Sequence, residues 1–425
     1  MQHYDVIVVG GGTAGVIAAV QAGRAGATTL LVERTGMLGG TVTVGGINAP
    51  AHFFAWGRQV IGGIGWELVR RAYEETGHPV PTPEFTTDTP TPRHLTVDIL
   101  IYAALCDQAV LDAGCTLLFH AMPAAVTRRD DGWELSLCTK TGLQPVTARV
   151  LIDATGDANL VTLAGYDVIR PETVQPATLA MRCSGYDPDA LDYDALAAAA
   201  ERAIAAGELV TTDISWRNTG PRGFLFGRGR NANHLRAPRA ETSEGRSAAE
   251  VEARRAALRA YRFFRRQPGL AHFQIDAVCP EVGIRETVTI KGKHTITIEE
   301  YEAGVVYDDA VCYAFYPVDE HLNDGLGINY RPLKHPVLPT IPRGALLPAD
   351  SQHLIVAGRC LASDREALSA LRVEAPCMAM GQAAGALAAL AAHTGVDVEA
   401  VPMADLRALL RAHDAIVPEG VPAGA

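Results

Sequence analysis

The chain has 425 residues, 48% of them hydrophobic and 20% charged, with a formal net charge of -11. This is the composition of a globular protein long enough for more than one structural unit. The acidic balance argues against a general binder of nucleic acid or of acidic membranes, since both need a basic surface.

Val6-Ile7-Val8-Val9 is short, β-branched and without alternation, which predicts a parallel strand buried on both faces. It runs into Gly10-Gly11-Gly12-Thr13-Ala14-Gly15, and residues 14–25 then predict a helix stopped by Gly26. In that frame Gly10 permits a tight turn, Gly12 lets a diphosphate approach the backbone, and Gly15 lets helix and strand pack closely. The amides of Thr13 and Ala14 open the helix toward the anion. A second buried strand over 28–32 ends at Glu33, placed to accept hydrogen bonds from an adenosine ribose. Strand, turn, helix, strand and acid in this order predict a dinucleotide site, for NAD or FAD. The stretch from Arg34 to Gly39-Gly40-Thr41 supplies a second amide-rich turn and favours FAD.

Residues 42–65 are glycine-rich, with His52, Trp56 and Arg58 as the chemically capable members. A helix is predicted over 66–73, then a proline- and threonine-rich stretch over 78–92 that reads as a connector or a lid. A helix over 95–113 and strands over 115–119, 124–128, 133–138 and 146–152 follow. The last strand runs into Asp153-Ala154-Thr155-Gly156-Asp157, a small-residue turn with an acid on either side that returns the chain to the cofactor.

From 165 to 348 charges and aromatics increase and the strand-helix alternation lapses, which predicts a second, substrate-facing domain. Helices are expected over 190–207 and 248–266. On the second, Arg255, Arg259, Arg262 and Arg266 form a solvated face while Leu258, Tyr261 and Phe264 pack. A buried strand over 353–358, a small-residue helix over 376–393, a surface helix over 406–413 and a disordered tail from Val417 complete the chain. The eight cysteines are scattered without a CxxC pair, which favours reduced core thiols over a disulfide frame, a cluster or a metal site. The first strand begins by Asp5, leaving no space for a signal peptide, and no uninterrupted apolar run reaches membrane-spanning length. A cytoplasmic location is expected.

Several separated motifs together resemble the FAD-dependent oxidoreductases of glutathione-reductase type. They are Gly10 to Gly15, Glu33, Leu38-Gly39-Gly40, Ile152 to Asp157, Pro280-Glu281-Val282-Gly283-Ile284-Arg285-Glu286, Ile290-Lys291-Gly292, Pro317-Val318-Asp319-Glu320-His321, Val356-Ala357-Gly358-Arg359 and Gly381-Gln382-Ala383-Ala384-Gly385. The branch resembled most closely is the one labelled simply FAD-dependent oxidoreductase or xanthan lyase. The resemblance implies an α/β fold: a Rossmann-like FAD-binding domain with a parallel sheet, plus an inserted α+β substrate or cap domain. The implied divisions are 1–165, with 42–94 as a flavin-side excursion, 166–347 as the insertion, 348–413 as the return, and 414–425 as a tail. Gly10, Gly12 and Gly15 would hold the diphosphate and Glu33 the ribose. Gly39 to Thr41 and Thr155 to Asp157, with Ala154, would line the cofactor. Gly358, Arg359, Arg372 and the helix starting near Met378 would meet the flavin end. Pro123 stands where relatives offer an adenine-contacting amide, and proline has none.

No second strand-GxGxxG-helix unit is present, because Gly227-Arg228-Gly229 lacks the later glycine, and no four-cysteine cluster motif occurs. The reading is therefore a flavoenzyme that transfers a hydride between flavin N5 and a small polar substrate. The alternative is a flavin-carrying electron-transfer subunit with a protein redox partner, and a homo-oligomer stays open. For proton transfer His321 is the first candidate and His52 the second. Arg285 and Arg331 are candidates to clamp a carboxylate, or to pair with Glu286 or Asp319 across domains. Arg359 and Arg372 either stabilise anionic flavin or pair with Asp364, Glu366 or Glu374.

Overall fold

A computed structural model describes residues 1–82, 95–215, 220–236 and 239–419. Strand β1 (Gln2–Val9) leads through the glycine turn into helix α1 (Thr13–Arg24) and strand β2 (Thr29–Glu33). Helices α2 (Gly63–Glu75) and α3 (Ile99–Asp112) follow. Next come β3 (Thr116–Phe119), β4 (Met122–Arg129), β5 (Gly132–Thr139) and β6 (Gly142–Asp153). After a long insertion, β7 (Leu354–Val356) and helix α4 (Glu374–Thr394) return to the same unit.

These strands form one 7-stranded sheet in the order β3-β2-β1-β6-β5-β4. Strand β7 pairs with the last residues of β6, and β5 with the earlier residues. The pairs β1 with β2, β1 with β6, β2 with β3, and β6 with β7 are parallel, while β4, β5 and β6 make an antiparallel meander. Val6 and Val8 enter the apolar cluster on one face and Ile7 and Val9 that on the other, which is why β1 shows no polar alternation.

Helices α1 and α4 cross on one face of the sheet with almost nothing between their backbones. A Cβ on Gly381 would lie 2.2 Å from the Ala14 carbonyl oxygen, and one on Gly385 2.3 Å from that of Ala18. Beside this crossing, the buried Gln382 accepts a hydrogen bond from the Ile64 amide at 3.1 Å and donates to Gln21 Oε1 at 3.1 Å and to the His413 carbonyl at 2.9 Å. One side chain thus joins α1, α2, α4 and the C-terminal segment. Helix α4 is long and apolar enough to cross a membrane, but 89% of its apolar window is buried inside the fold.

The insertion has a core of its own. Strand Met181–Ser184 pairs antiparallel with Gln274–Val278, and Phe224, Phe263, Phe264 and Phe273 pack together with Leu196. Further on, Tyr301, Val311, Leu338, Ile341 and Leu346 join the main cluster around α4. Helix Ser243–Phe264 departs from the expected facing: it buries Ala249, Ala253, Ala260 and Phe263 with Phe264, while Leu258 is exposed. Arg259 is not on a solvated stripe, because Asp213 binds it through paired hydrogen bonds of 2.8 Å each. The small alanines let the helix approach closely, Phe264 and Tyr261 pack as expected, and only Leu258 turns to solvent.

Val417, expected in a disordered tail, is buried against the main cluster. Residues 420–425 of that tail and residues 83–94, which hold most of the proline- and threonine-rich stretch, lie outside the described residues.

Gly381→Ala forces a methyl group against α1 and is expected to destabilise the protein by about 1–3 kcal/mol. The denaturant midpoint measures this; an unchanged midpoint would show that the helices do not meet backbone to backbone.

Candidate active site

A cavity of about 1550 Å³ opens at the carboxyl ends of β1, β2, β6 and β7, where parallel sheets of this kind bind ligands. It exceeds the ~300–1,000 Å³ of a site for one small molecule and has room for a dinucleotide and a second molecule.

The glycines divide their work as the spacing predicts. Gly10 has φ +100°, and a Cβ there would lie 2.5 Å from the Ala154 carbonyl oxygen. A Cβ on Gly15 would lie 1.7 Å from the Gly10 oxygen, so Gly15 is a packing position off the cavity wall. Gly12 lines the cavity, and a Cβ on it would meet only Gly40 Cα, at 3.9 Å. Helix α1 has no side-chain cap on its first amides, and Thr13 and Ala14 line the cavity with Gly40 and Thr41. This leaves an anion-sized cradle of backbone donors. Gly39 holds the second turn against the first, its amide donating to the Gly11 carbonyl at 2.9 Å.

Glu33 is buried at the end of β2. Its Oε2 accepts from the Gly11 amide and its Oε1 from the Thr35 amide, each at 2.7 Å. Each oxygen keeps a further acceptor direction for a ribose hydroxyl. Pro123 lies on the cavity wall within β4, with no amide to offer. Opposite, Asp153 is fully buried and accepts from the Thr155 amide and hydroxyl and from the Val161 amide, which shapes the turn carrying Ala154, Thr155, Gly156 and Asp157. Arg359, next to Gly358, donates to the Gly156 carbonyl at 2.9 Å and to Asp157 at 2.5 Å, and also to the Ile284 carbonyl of the insertion. Its ion-pair partner is thus Asp157, and not Asp364, Glu366 or Glu374. At the rim Arg34 pairs with Glu281, which also accepts from Arg246 at 2.8 Å.

The far end of the cavity is made by the insertion and by the start of α4. His321 is buried there, its Nδ1 3.0 Å from His234 Nε2 and its Nε2 3.5 Å from Asp319 Oδ2. His234 Nδ1 lies 2.8 Å from the Gly325 carbonyl oxygen. Burial, then the Arg285 charge, push the His321 pKa down to about 3 and that of His234 down to about 2. Burial alone would raise the Asp319 carboxyl, but the nearby His321 ring and the charges of Arg372 and Arg285 hold it below its ordinary value. His52 also lines the cavity and stacks on Tyr316 with ring centroids 5.1 Å apart.

Besides Gly15 and Gly39, two further expected site residues are off the cavity wall. Arg331 is off the cavity wall and bound to Glu302 and Glu366, because its strand, Ile328–Arg331, turns its end toward exposed carboxylates. It meets neither Glu286 nor Asp319. Met378 is buried in the second turn of α4, against Gly65, because the helix begins at Glu374; Val373, Glu374 and Cys377 face the cavity instead. Residues not singled out from the sequence are His234, Arg246 and Asn231. His234 belongs to the short polar run Asn231-Ala232-Asn233-His234, whose histidine meets His321 only through the folded insertion. Among the described residues no group of His, Cys, Asp or Glu is arranged to hold a metal ion.

Among solved structures, a geranylgeranyl bacteriochlorophyll reductase-like protein from Thermoplasma acidophilum is similar over 97% of this chain and 84% of that one, at 13% identity and TM-score 0.46. The OxyS anhydrotetracycline hydroxylase from Streptomyces rimosus is similar over 44% of this chain, at 21% identity and TM-score 0.31. THI4 from Thermovibrio ammonificans is similar over 39%, at 18% identity and TM-score 0.27. This chain covers 39% of the hydroxylase and 64% of THI4, less than two thirds of each. No curated protein matches it. A family model described as FAD dependent oxidoreductase matches residues 5–410. The glycine cradle and Glu33 lie within that span, and the chain belongs to the FAD dependent oxidoreductase family, an oxidoreductase enzyme with FAD as its cofactor.

Proposed function

We propose that the enzyme transfers a hydride between FAD and a small polar organic substrate, with His321 moving the accompanying proton. The observation that carries this reading is that His321 lines the same cavity as the diphosphate cradle. Within the family we read the chain as belonging to the branch of glutathione-reductase type, on the motifs from Pro280 to Glu286 and from Pro317 to His321.

When bound, FAD supplies a hydride acceptor or donor. Gly12, Thr13, Ala14 and the second glycine turn would hold its diphosphate, and Glu33 its ribose. The hydrogen bonds around His321 then assign a direction to the proton. His234 Nδ1–H donates to the Gly325 carbonyl, which leaves His234 Nε2 to accept from His321 Nδ1–H. His321 Nε2 is therefore a base, with Asp319 beside it to stabilise the imidazolium once a substrate O–H or N–H gives up its proton. Asp319 and His234 act through His321 as positioning residues.

Anaerobic mixing of the purified holoenzyme with small alcohols, amines, hydroxy acids and sugars tests the reading. Bleaching of the flavin bands by one of them supports it, whereas flavin reduced only through a protein partner contradicts it. Against the compound that bleaches, His321→Gln is expected to slow flavin reduction by about 10²–10⁴-fold with the flavin retained. Equal rates at saturating substrate remove His321 from the mechanism. Glu33→Ala is expected to lower the flavin content of the purified protein, read from its absorption spectrum, by removing the ribose acceptors; unchanged occupancy contradicts the assignment.

The two histidines also set an acid limit on stability. Both are held neutral in the fold, while in the unfolded chain they take up protons below about pH 6.5. The unfolded state therefore binds more protons as pH falls from about 6.5 toward 3, and stability declines across that window. His234→Asn is expected to flatten this decline in chemical-denaturation midpoints measured from pH 7 to pH 4, roughly the interval in which an ordinary histidine titrates. An unaltered slope shows that His234 protonates as freely in the fold as outside it.

A further inference from the structure

Arg285 and Arg372 both line the far end of the cavity, and each donates only to neutral oxygens. Arg285 is buried and donates to the Pro176 carbonyl at 2.8 Å, Thr178 Oγ1 at 3.0 Å and Asn231 Oδ1 at 3.0 Å. Every one of these acceptors is neutral. Arg372 donates to Gln175 Oε1 at 3.1 Å and to the Asp319 carbonyl at 3.3 Å, again neutral oxygens, and its buried Nε has no hydrogen-bond partner among the described residues. Among the described residues neither guanidinium is in ion-pair contact with a carboxylate.

The carboxylates nearby have other partners. Glu286 at 3.2 Å and Glu320 at 3.4 Å share Arg365, and Asp319 faces His321. Glu374 lies at the start of α4, where burial pushes its pKa up to about 7, so part of its population is neutral near pH 7. The two imidazoles are neutral. Among the described residues neither guanidinium thus has a carboxylate in contact: Asp319 and Glu286 face other side chains, and Glu374 is partly neutral. A buried cation without a partner is costly, and the two arginines are close enough for the charge of Arg372 to disfavour that of Arg285. One added anion offsets both effects.

We infer that Arg285 and Arg372 bind the carboxylate of the substrate, which makes the substrate a small monocarboxylate held with its reacting group toward His321. This rests on the hydride-transfer reading and adds the substrate class to it. The guanidinium fork of each arginine matches a carboxylate, and both side chains line the cavity that His321 lines. Arg331, the second clamp expected from the sequence, is replaced in this role by Arg372.

The test uses the oxidised holoenzyme, with acetate, propionate and benzoate as probes and propionamide and benzamide as uncharged isosteres. Titration is followed by perturbation of the flavin absorption bands and by the thermal unfolding midpoint. The expected result is saturable binding of at least one carboxylate and none of its amide. Arg372→Gln is expected to weaken that binding by about 10–100-fold, the value of a hydrogen bond to a charged group, with Arg372→Lys recovering part of it. Amides that bind as well as carboxylates overturn the proposal, and this comparison needs only the unmodified protein. Variants that alter flavin reduction by dithionite while carboxylate affinity stays unchanged also overturn it, since the arginines would then serve the flavin itself. If carboxylates fail to bind while a neutral compound bleaches the flavin, the proposal falls and the hydride-transfer reading stands. If carboxylates bind and no compound ever bleaches it, the anion site stands and that reading falls.

Discussion

Helix α1 touches the turn after strand β1 at Gly15 and helix α4 at Gly381 and Gly385, in each case with no space for a methyl group. The position of its N-terminus, and therefore of the anion cradle, is set by backbone meeting backbone. A side chain at any of these contacts would tilt the helix and carry the amides of Thr13 and Ala14 away from the point where Gly12 and Gly40 leave room. Gln382 stabilises the same arrangement from the other side, because it satisfies donors and acceptors on three neighbouring segments at once. Such a buried polar group is favourable only when all its partners are in place, which gives the crossing one geometry.

The two ends of the cavity rest on opposite physics. At the nucleotide end polar groups are met locally: Glu33 and Asp153 accept from amides within their own turns. At the far end the insertion brings His234, His321, Asp319 and Arg285 to α4, and burial there decides protonation. His321 stays neutral because imidazolium would be desolvated beside Arg285. Asp319 tempers that effect without cancelling it, so the histidine is unprotonated near neutral pH and a weaker base than free imidazole.

Most of the nucleotide end was legible in the sequence because its signals are local. A β-branched strand, a glycine turn and a ribose acid lie within one stretch of chain, and each is constrained by the backbone conformation it must adopt. Strands and helices were likewise placed to within a few residues where periodicity was strong. The far end was not readable in the same way. Nothing in the Asn231 to His234 run marks a partner for His321, and Arg331 and Arg372 look alike as isolated arginines. Arg331 reaches exposed carboxylates while Arg372, one residue beyond the short helix Arg365–Leu371, turns into the cavity. Met378 lies one helical turn inside α4, since Pro376 sits within the first turn of that helix and not at its start. On helix Ser243–Phe264 the packed face holds Phe264 and Tyr261 as expected, together with alanines that the larger residues do not point to, and it leaves out Leu258.

The insertion closes over the nucleotide end through charge. Glu281 reaches from it to Arg34, beside the ribose acid, and to Arg246, and at least the Arg34 side of this group is open to water. Exposed ion pairs of this kind contribute about 0–1 kcal/mol each and weaken as salt screens them. The glycine contacts and apolar clusters beneath do not share that sensitivity. Ionic strength therefore acts on this charged link between the insertion and the end of β2, and leaves the architecture of the cradle untouched.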